Sequence, residues 1–132
     1  MPFEYMWPVT ISDYCELFYE VPNIEILLDF QHIWNMSSNM DDQEFDNYVS
    51  WAFSTNRVGQ IHINGISTIP SLQHLSIKRN DEAYKALRRY STEIANQEPI
   101  ITLEIKPLLP YKQTEVQQYL QENINIVLEA LC

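Results

Sequence analysis

The chain has 132 residues, 45% of them hydrophobic and 12% aromatic, and its 18 Asp and Glu against 8 Lys and Arg give a formal net charge of −10. That much aromatic content excludes an acidic disordered tail, and so acidic a balance argues against nucleic-acid backbones and anionic lipid, which both select clustered bases. No apolar run approaches the ~18–20 residues that span a bilayer.

At roughly 100–150 residues per domain the length predicts one domain over 1–132. The start, Met1-Pro2-Phe3-Glu4-Tyr5, has neither the positive charge nor the apolar run of a signal peptide. Two cysteines, Cys15 and Cys132, make no disulfide framework, so a reduced, cytoplasmic setting is expected.

Taken in order, Ile11, Tyr14, Cys15, Phe18 and Tyr19 fall at helical spacing and predict a helix over 11–20, capped by Thr10 and stopped by Pro22. Its acids, Asp13, Glu16 and Glu20, share the opposite flank. Residues 23–35 read two ways. Ile24, Ile26, Leu28 and Phe30 alternate as in a strand, whereas Ile24, Leu27 and Leu28 after Pro22 suit a helix; the alternation favours the strand. Ser37-Ser38-Asn39 reads as a turn or cap. A second helix is predicted over 41–53 from Phe45, Tyr48, Val49, Ala52 and Phe53, with Asp41, Asp42 and Glu44 at the positive end of its dipole.

Val58 to Ile69 predicts a hairpin. Two short alternating runs flank Asn64-Gly65, a pair that favours the positive φ of a two-residue turn. Asn80 is expected to cap a helix over 81–97 with Tyr84, Leu87, Tyr90, Ser91 and Ile94 inward, and with Asp81–Lys85 and Arg89–Glu93 pairs outside. A strand over 100–106 ends at Pro107 and Pro110. The last helix, 115–130, carries a Thr114/Gln117 cap and an apolar stripe of Val116, Leu120, Ile124, Val127, Leu128 and Leu131. The expected fold is α+β, a small antiparallel or mixed sheet packed against three or four helices.

Chemistry-bearing motifs are few. With only Gly59 and Gly65, the chain has neither a P-loop nor a dinucleotide fingerprint. His32, His62 and His74 lack metal-ligand spacing, so neither a metal nor a cofactor is expected. Cys15 sits on an apolar stripe between Asp13 and Glu16, surroundings that disfavour a thiolate.

Charge, however, is segregated. Ten acids and no base precede Arg57, together with twelve of the sixteen aromatics; all eight bases lie from Arg57 onward, five of them from Lys78 to Arg89. An acidic, aromatic-rich surface steers association with basic partners. The expectation is therefore a non-enzymatic binding module that neutralises a basic protein such as a nuclease toxin. Bacterial immunity proteins and antitoxins share its size and charge. The expected contact residues are Asp13, Glu16, Glu20, Asp42 and Asp46, with Trp34 or Trp51 as anchor. A homodimer joining the acidic part to the Lys78–Arg89 cluster is a further expectation. The alternative is a small enzyme or ligand-binding domain with a pocket between sheet and helices and with His62 and His32 as acid–base groups.

Overall fold

A computed structural model describes residues 11–36, 41–67, 69, 74–106 and 112–132. Thr10, the Ser37-Ser38-Asn39 turn, Pro107 and Pro110 lie outside the described residues. Among those described, the chain forms six helices and a three-stranded sheet. In chain order these are α1 (Ile11–Glu20), β1 (Ile26–Asp29), α2 (Phe30–Met36), α3 (Asp42–Ser54), β2 (Val58–Ile63), α4 (Glu82–Arg89), α5 (Ser91–Gln97), β3 (Ile100–Leu103) and α6 (Gln113–Leu131). No described helix is long and apolar enough to cross a membrane.

The α+β content is as expected, but the sheet is parallel rather than antiparallel or mixed. β2 lies in the centre, pairing in parallel with β1 on one side and β3 on the other. Helices intervene between consecutive strands, and parallel neighbours need such crossovers. Alternation then divides the side chains. Ile26, Leu28, Val58, Ile61 and Ile63 are buried in the core with half-buried Ile101 and Leu103 packed against them. Leu27, Asp29, Gln60, His62, Ile100 and Thr102 point the other way by the same period of two.

Within residues 23–35 the strand reading holds over Ile26–Asp29 and fails at Phe30, while the helix reading fails at Leu27 and Leu28, which lie in β1; a helix starts only at Phe30. The alternation holds through Asp29, whose Oδ1 accepts the His32 N–H at 3.0 Å and so starts a helix at once. Phe30, Ile33 and Trp34 then follow helical spacing into the core. In α3, Asp41 is the N-cap, accepting from the Gln43 N–H at 2.7 Å.

The hairpin over 58–69 does not form. Neither Asn64 nor Gly65 has positive φ, and Asn64 is buried. Instead Gly65 makes an antiparallel bridge with Leu75, donating its N–H to the Leu75 carbonyl at 2.8 Å. A Cβ at position 65 would stand 2.2 Å from the Ser76 carbonyl oxygen, so the glycine serves a close backbone approach rather than a turn. Buried amides hold Ser67 and Ile77, two residues past each side of the bridge. Gln31 on α2 accepts the Ser67 N–H at 3.0 Å, and Asn123 on α6 accepts the Ile77 N–H at 2.7 Å.

The helix expected over 81–97 is two helices. Asp81, not Asn80, is the N-cap, accepting from the Tyr84 N–H at 2.9 Å, while Asn80 has φ 71. The break falls at Tyr90, whose ring stacks on Phe53 at 5.2 Å. β3 stops at Leu103, short of residue 106. α6 begins at Gln113, with the Lys112 N–H bonded to Glu115 at 2.9 Å in place of a Thr114 cap. Its inward face is Asn123, Val127 and Ala130, against α4; Leu120, Ile124 and Leu128 of the expected stripe are exposed.

Because Asn123 is the acceptor for a buried backbone donor, Asn123→Ala is expected to cost about 1–3 kcal/mol, the desolvation penalty of an orphaned N–H. Urea denaturation checks this, with Asn125→Ala on the exposed face of α6 expected to change little.

Candidate functional site

The residues expected to meet a partner are dispersed over different environments. Trp34 is 4% exposed and packs edge-on against Phe45 at 5.6 Å, so it is a core residue. Trp51 is half-buried beneath α1. Its indole stacks on Phe18, with centroids 6.3 Å apart and planes 11° from parallel, and lies 5.6 Å from Tyr14 and 5.8 Å from Tyr48. This four-ring cluster attaches α1, which has no fully buried residue of its own. Each such ring pair adds about 0.5–1.5 kcal/mol beyond its area. Burial and the bond with Tyr14 push the Tyr48 hydroxyl well above its ordinary pKa, so it stays neutral.

Arg57, the first base of the chain, completes the attachment. Its guanidinium lies 4.6 Å from the Phe18 ring centroid, and it donates to the carbonyls of Pro22 and Ile24. The outer side of α1 carries exposed Glu16 and Glu20, with Tyr19 between them at 86% exposure. Asp13 is half-buried.

Asp46 and Asp42 face the basic helix instead. Asp46 accepts from Arg89 at 2.8 Å and from the Tyr90 hydroxyl. Asp42 lines a narrow cleft with Glu82, Lys85 and Arg89. The expected outer pairs of α4 are replaced: Lys85 bonds Glu82 at 2.8 Å, and Arg89 takes Asp46 rather than Glu93. Arg79 holds Glu129 of α6 at 2.7 Å, and Tyr84 donates to the same carboxylate at 3.1 Å.

A second constellation lies at the carboxyl ends of the three strands, where open sheets with parallel strands commonly hold ligands. Asp29 closes β1, His62 is the penultimate residue of β2, and Glu104 follows β3. Their ligand atoms lie within 4.8 Å of one another. His62 Nδ1 is 3.2 Å from Glu104, and His32 Nδ1 is 3.3 Å from Asp29. Both histidines singled out from sequence thus meet carboxylates in the same place. Glu104 was not anticipated there, because its position depends on the parallel register. Gln60 Nε2 lies 2.9 Å from both His62 Nε2 and Thr102 Oγ1. An amide group that donates to both makes Nε2 the acceptor and leaves the His62 proton on Nδ1, facing Glu104.

Two grooves mark opposite ends of the sheet. One of about 300 Å³ lies past the end of β2, lined by Gly65, Leu75, Lys78, Lys106 and Tyr119; another, of about 510 Å³, is lined by Glu25, Arg57, Gly59, Gln97 and Ile100. No protein-family model, curated protein or solved structure matches the chain.

Burial pushes the Asp46 carboxyl up, but the bonds from Tyr90 and Arg89 and the Arg89 charge outweigh it, leaving its pKa below the ordinary value. A depressed carboxylate stabilises the fold above its unfolded pKa near 4, and that contribution is lost as pH falls through the folded value. Asp46→Asn is expected to cost about 1 kcal/mol at neutral pH, as for a partly exposed pair. The difference from the parent should shrink below pH 4, read from urea midpoints across a pH series.

Proposed function

We propose that the protein is an acidic protein-binding module that neutralises a basic partner, in the manner of an immunity protein or antitoxin acting on a toxin such as a nuclease. The observation that carries this reading is the outer side of α1, where Tyr19 stands 86% exposed between the exposed carboxylates Glu16 and Glu20. An exposed tyrosine supplies contact area at low conformational cost, and interfaces concentrate their energy on such side chains. Flanking carboxylates accelerate encounter with a positive surface and select against acidic proteins.

The docking surface is accordingly narrower than all ten N-terminal acids. Glu16, Tyr19 and Glu20 form its centre, with Asp13 beside them on the same helix. Asp42 and Asp46 serve the α3–α4 contact, and Trp51 supports the surface from beneath. Tyr19 takes the anchor role that Trp34 and Trp51 were expected to fill. The Lys78–Arg89 cluster has its own intramolecular acids in Glu82, Asp46 and Glu129, so the partner's positive charge is sought on another protein rather than on a second copy.

The test immobilises the full chain and passes over it a lysate of the source organism at low and high salt, with mass-spectrometric identification of retained proteins. A basic protein is expected to be retained at low salt and released by salt. Tyr19→Ala and the pair Glu16→Lys with Glu20→Lys should each weaken its binding at least tenfold, while Glu122→Lys on α6 leaves it unchanged. Equal retention by all three variants would remove α1 as the docking surface.

A further inference from the structure

We propose that Asp29, His62 and Glu104 bind one divalent transition-metal ion at the carboxyl ends of the parallel strands. Their three ligand atoms converge within 4.8 Å, each from a different segment: the last residue of β1, the penultimate residue of β2 and the first residue after β3. All three side chains are at least partly shielded, with exposures of 13% for Asp29, 20% for His62 and 33% for Glu104. The site shares no residue with the outer side of α1.

Sheet geometry places these groups. Asp29 and His62 are direct cross-strand partners, and His62 is paired with Thr102, two residues before Glu104. The period of two therefore brings all three to one face. Their positions are fixed by bonds that do not use the converging atoms of His62 and Glu104. Asp29 caps α2 through Oδ1, while its Oδ2 lies 3.3 Å from His32 Nδ1. The Glu104 N–H is bonded to the Ile63 carbonyl at 2.9 Å, and the Glu104 carbonyl lies 3.2 Å from His74 Nδ1.

The charges call for a cation. Two carboxylates this close repel when both are ionised, and the basic groups beside them among the described residues are imidazoles rather than Lys or Arg: His32 beside Asp29, His62 beside Glu104. A divalent ion would compensate both negative charges at once. One imidazole and two carboxylates favour zinc, manganese or iron(II) over calcium and magnesium, which prefer all-oxygen sites. Three protein ligands leave coordination positions for water.

Gln60 makes the histidine adaptable. Where the Gln60 amide group donates to His62 Nε2, 2.9 Å away, Nδ1 carries the proton. With an ion on Nδ1, the proton resides on Nε2. A half-turn of the Gln60 amide then presents Oε1 to that N–H and to the Thr102 hydroxyl. No proton is gained or lost by the neutral imidazole; it changes tautomer. Outer partners of this kind commonly set affinity by 10–100-fold.

Titration calorimetry of the metal-stripped full chain with Zn²⁺, and separately with Mn²⁺ and Mg²⁺, tests the assignment. One Zn²⁺ per chain is expected, with Mg²⁺ at least about 100-fold weaker. Glu104→Gln and His62→Ala should each weaken Zn²⁺ at least about tenfold, as should Gln60→Leu, which contributes no ligand atom. Cys15→Ser with Cys132→Ser should leave the affinity unchanged. Independently of any variant, Mn²⁺ should broaden the His62 imidazole resonances before those of His74. Absence of a one-to-one Zn²⁺ complex, or Zn²⁺ affinity within twofold of the parent in both Glu104→Gln and His62→Ala, overturns the proposal.

Discussion

Parallel pairing of β2 with a neighbour on each side is the constraint from which the rest of the molecule follows. Its register sets Leu28 beside Ile61 and Ile61 beside Ile101, giving a continuous apolar row for the helices to cover. The same register sets Asp29 beside His62 and His62 beside Thr102, so the polar row on the reverse face is the obligatory counterpart of the core. A shift of one residue in β2 would exchange the two rows, burying a histidine and exposing Ile61. Core stability and the arrangement of the polar cluster are thus held by the same hydrogen-bond ladder.

Chemistry near the ends of the strands is joined to the start of α2 through a single side chain. Asp29 terminates β1, caps the following helix and faces His62. Most of this was out of reach of linear spacing, because His62 and Glu104 are forty-two residues apart and meet only across a parallel pair. The sequence nevertheless singled out His32 and His62, since few residue types titrate near neutral pH. What it lacked was strand direction. Asn64-Gly65 carries the strongest local hairpin signal in the chain, yet the glycine is used for its lack of a side chain against Ser76, and Asn64 is buried. Local turn preference lost to tertiary contacts made by Gln31 and Asn123, two buried amides that no periodicity reveals.

Helices were more legible, and for a physical reason: their stripes are set by contacts within one segment. α3 follows its apolar spacing almost to the residue, and Asp41 caps it as its chemistry suggests; α1 keeps its bounds, but only Tyr14 and Phe18 of its stripe pack inward, while Ile11, Cys15 and Tyr19 are exposed. α6 departs from its apolar stripe. Leu120, Ile124 and Leu128 form a valid helical row, but the row that packs inward, with α4 as a neighbour, contains Asn123, Val127 and Ala130. The polar Asn123 belongs to that row because it accepts the buried Ile77 N–H, a tertiary bond that an apolar stripe does not reveal. Part of the acidic charge that the sequence gathers before Arg57 is used internally, through Asp46 on Arg89 and Asp42 near Lys85.

The manner in which α1 is attached has a dynamic consequence. A ten-residue helix is marginal by itself in water, and this one is held by half-buried rings and one guanidinium rather than by burial in the core. Its opening therefore costs far less than global unfolding and leaves the sheet intact, making it a separate cooperative unit. Backbone amides of α1 would exchange with solvent well ahead of those of β2. Occupancy of its outer side would appear as slowed exchange confined to that helix, a signature that distinguishes engagement of α1 from any general stabilisation of the domain.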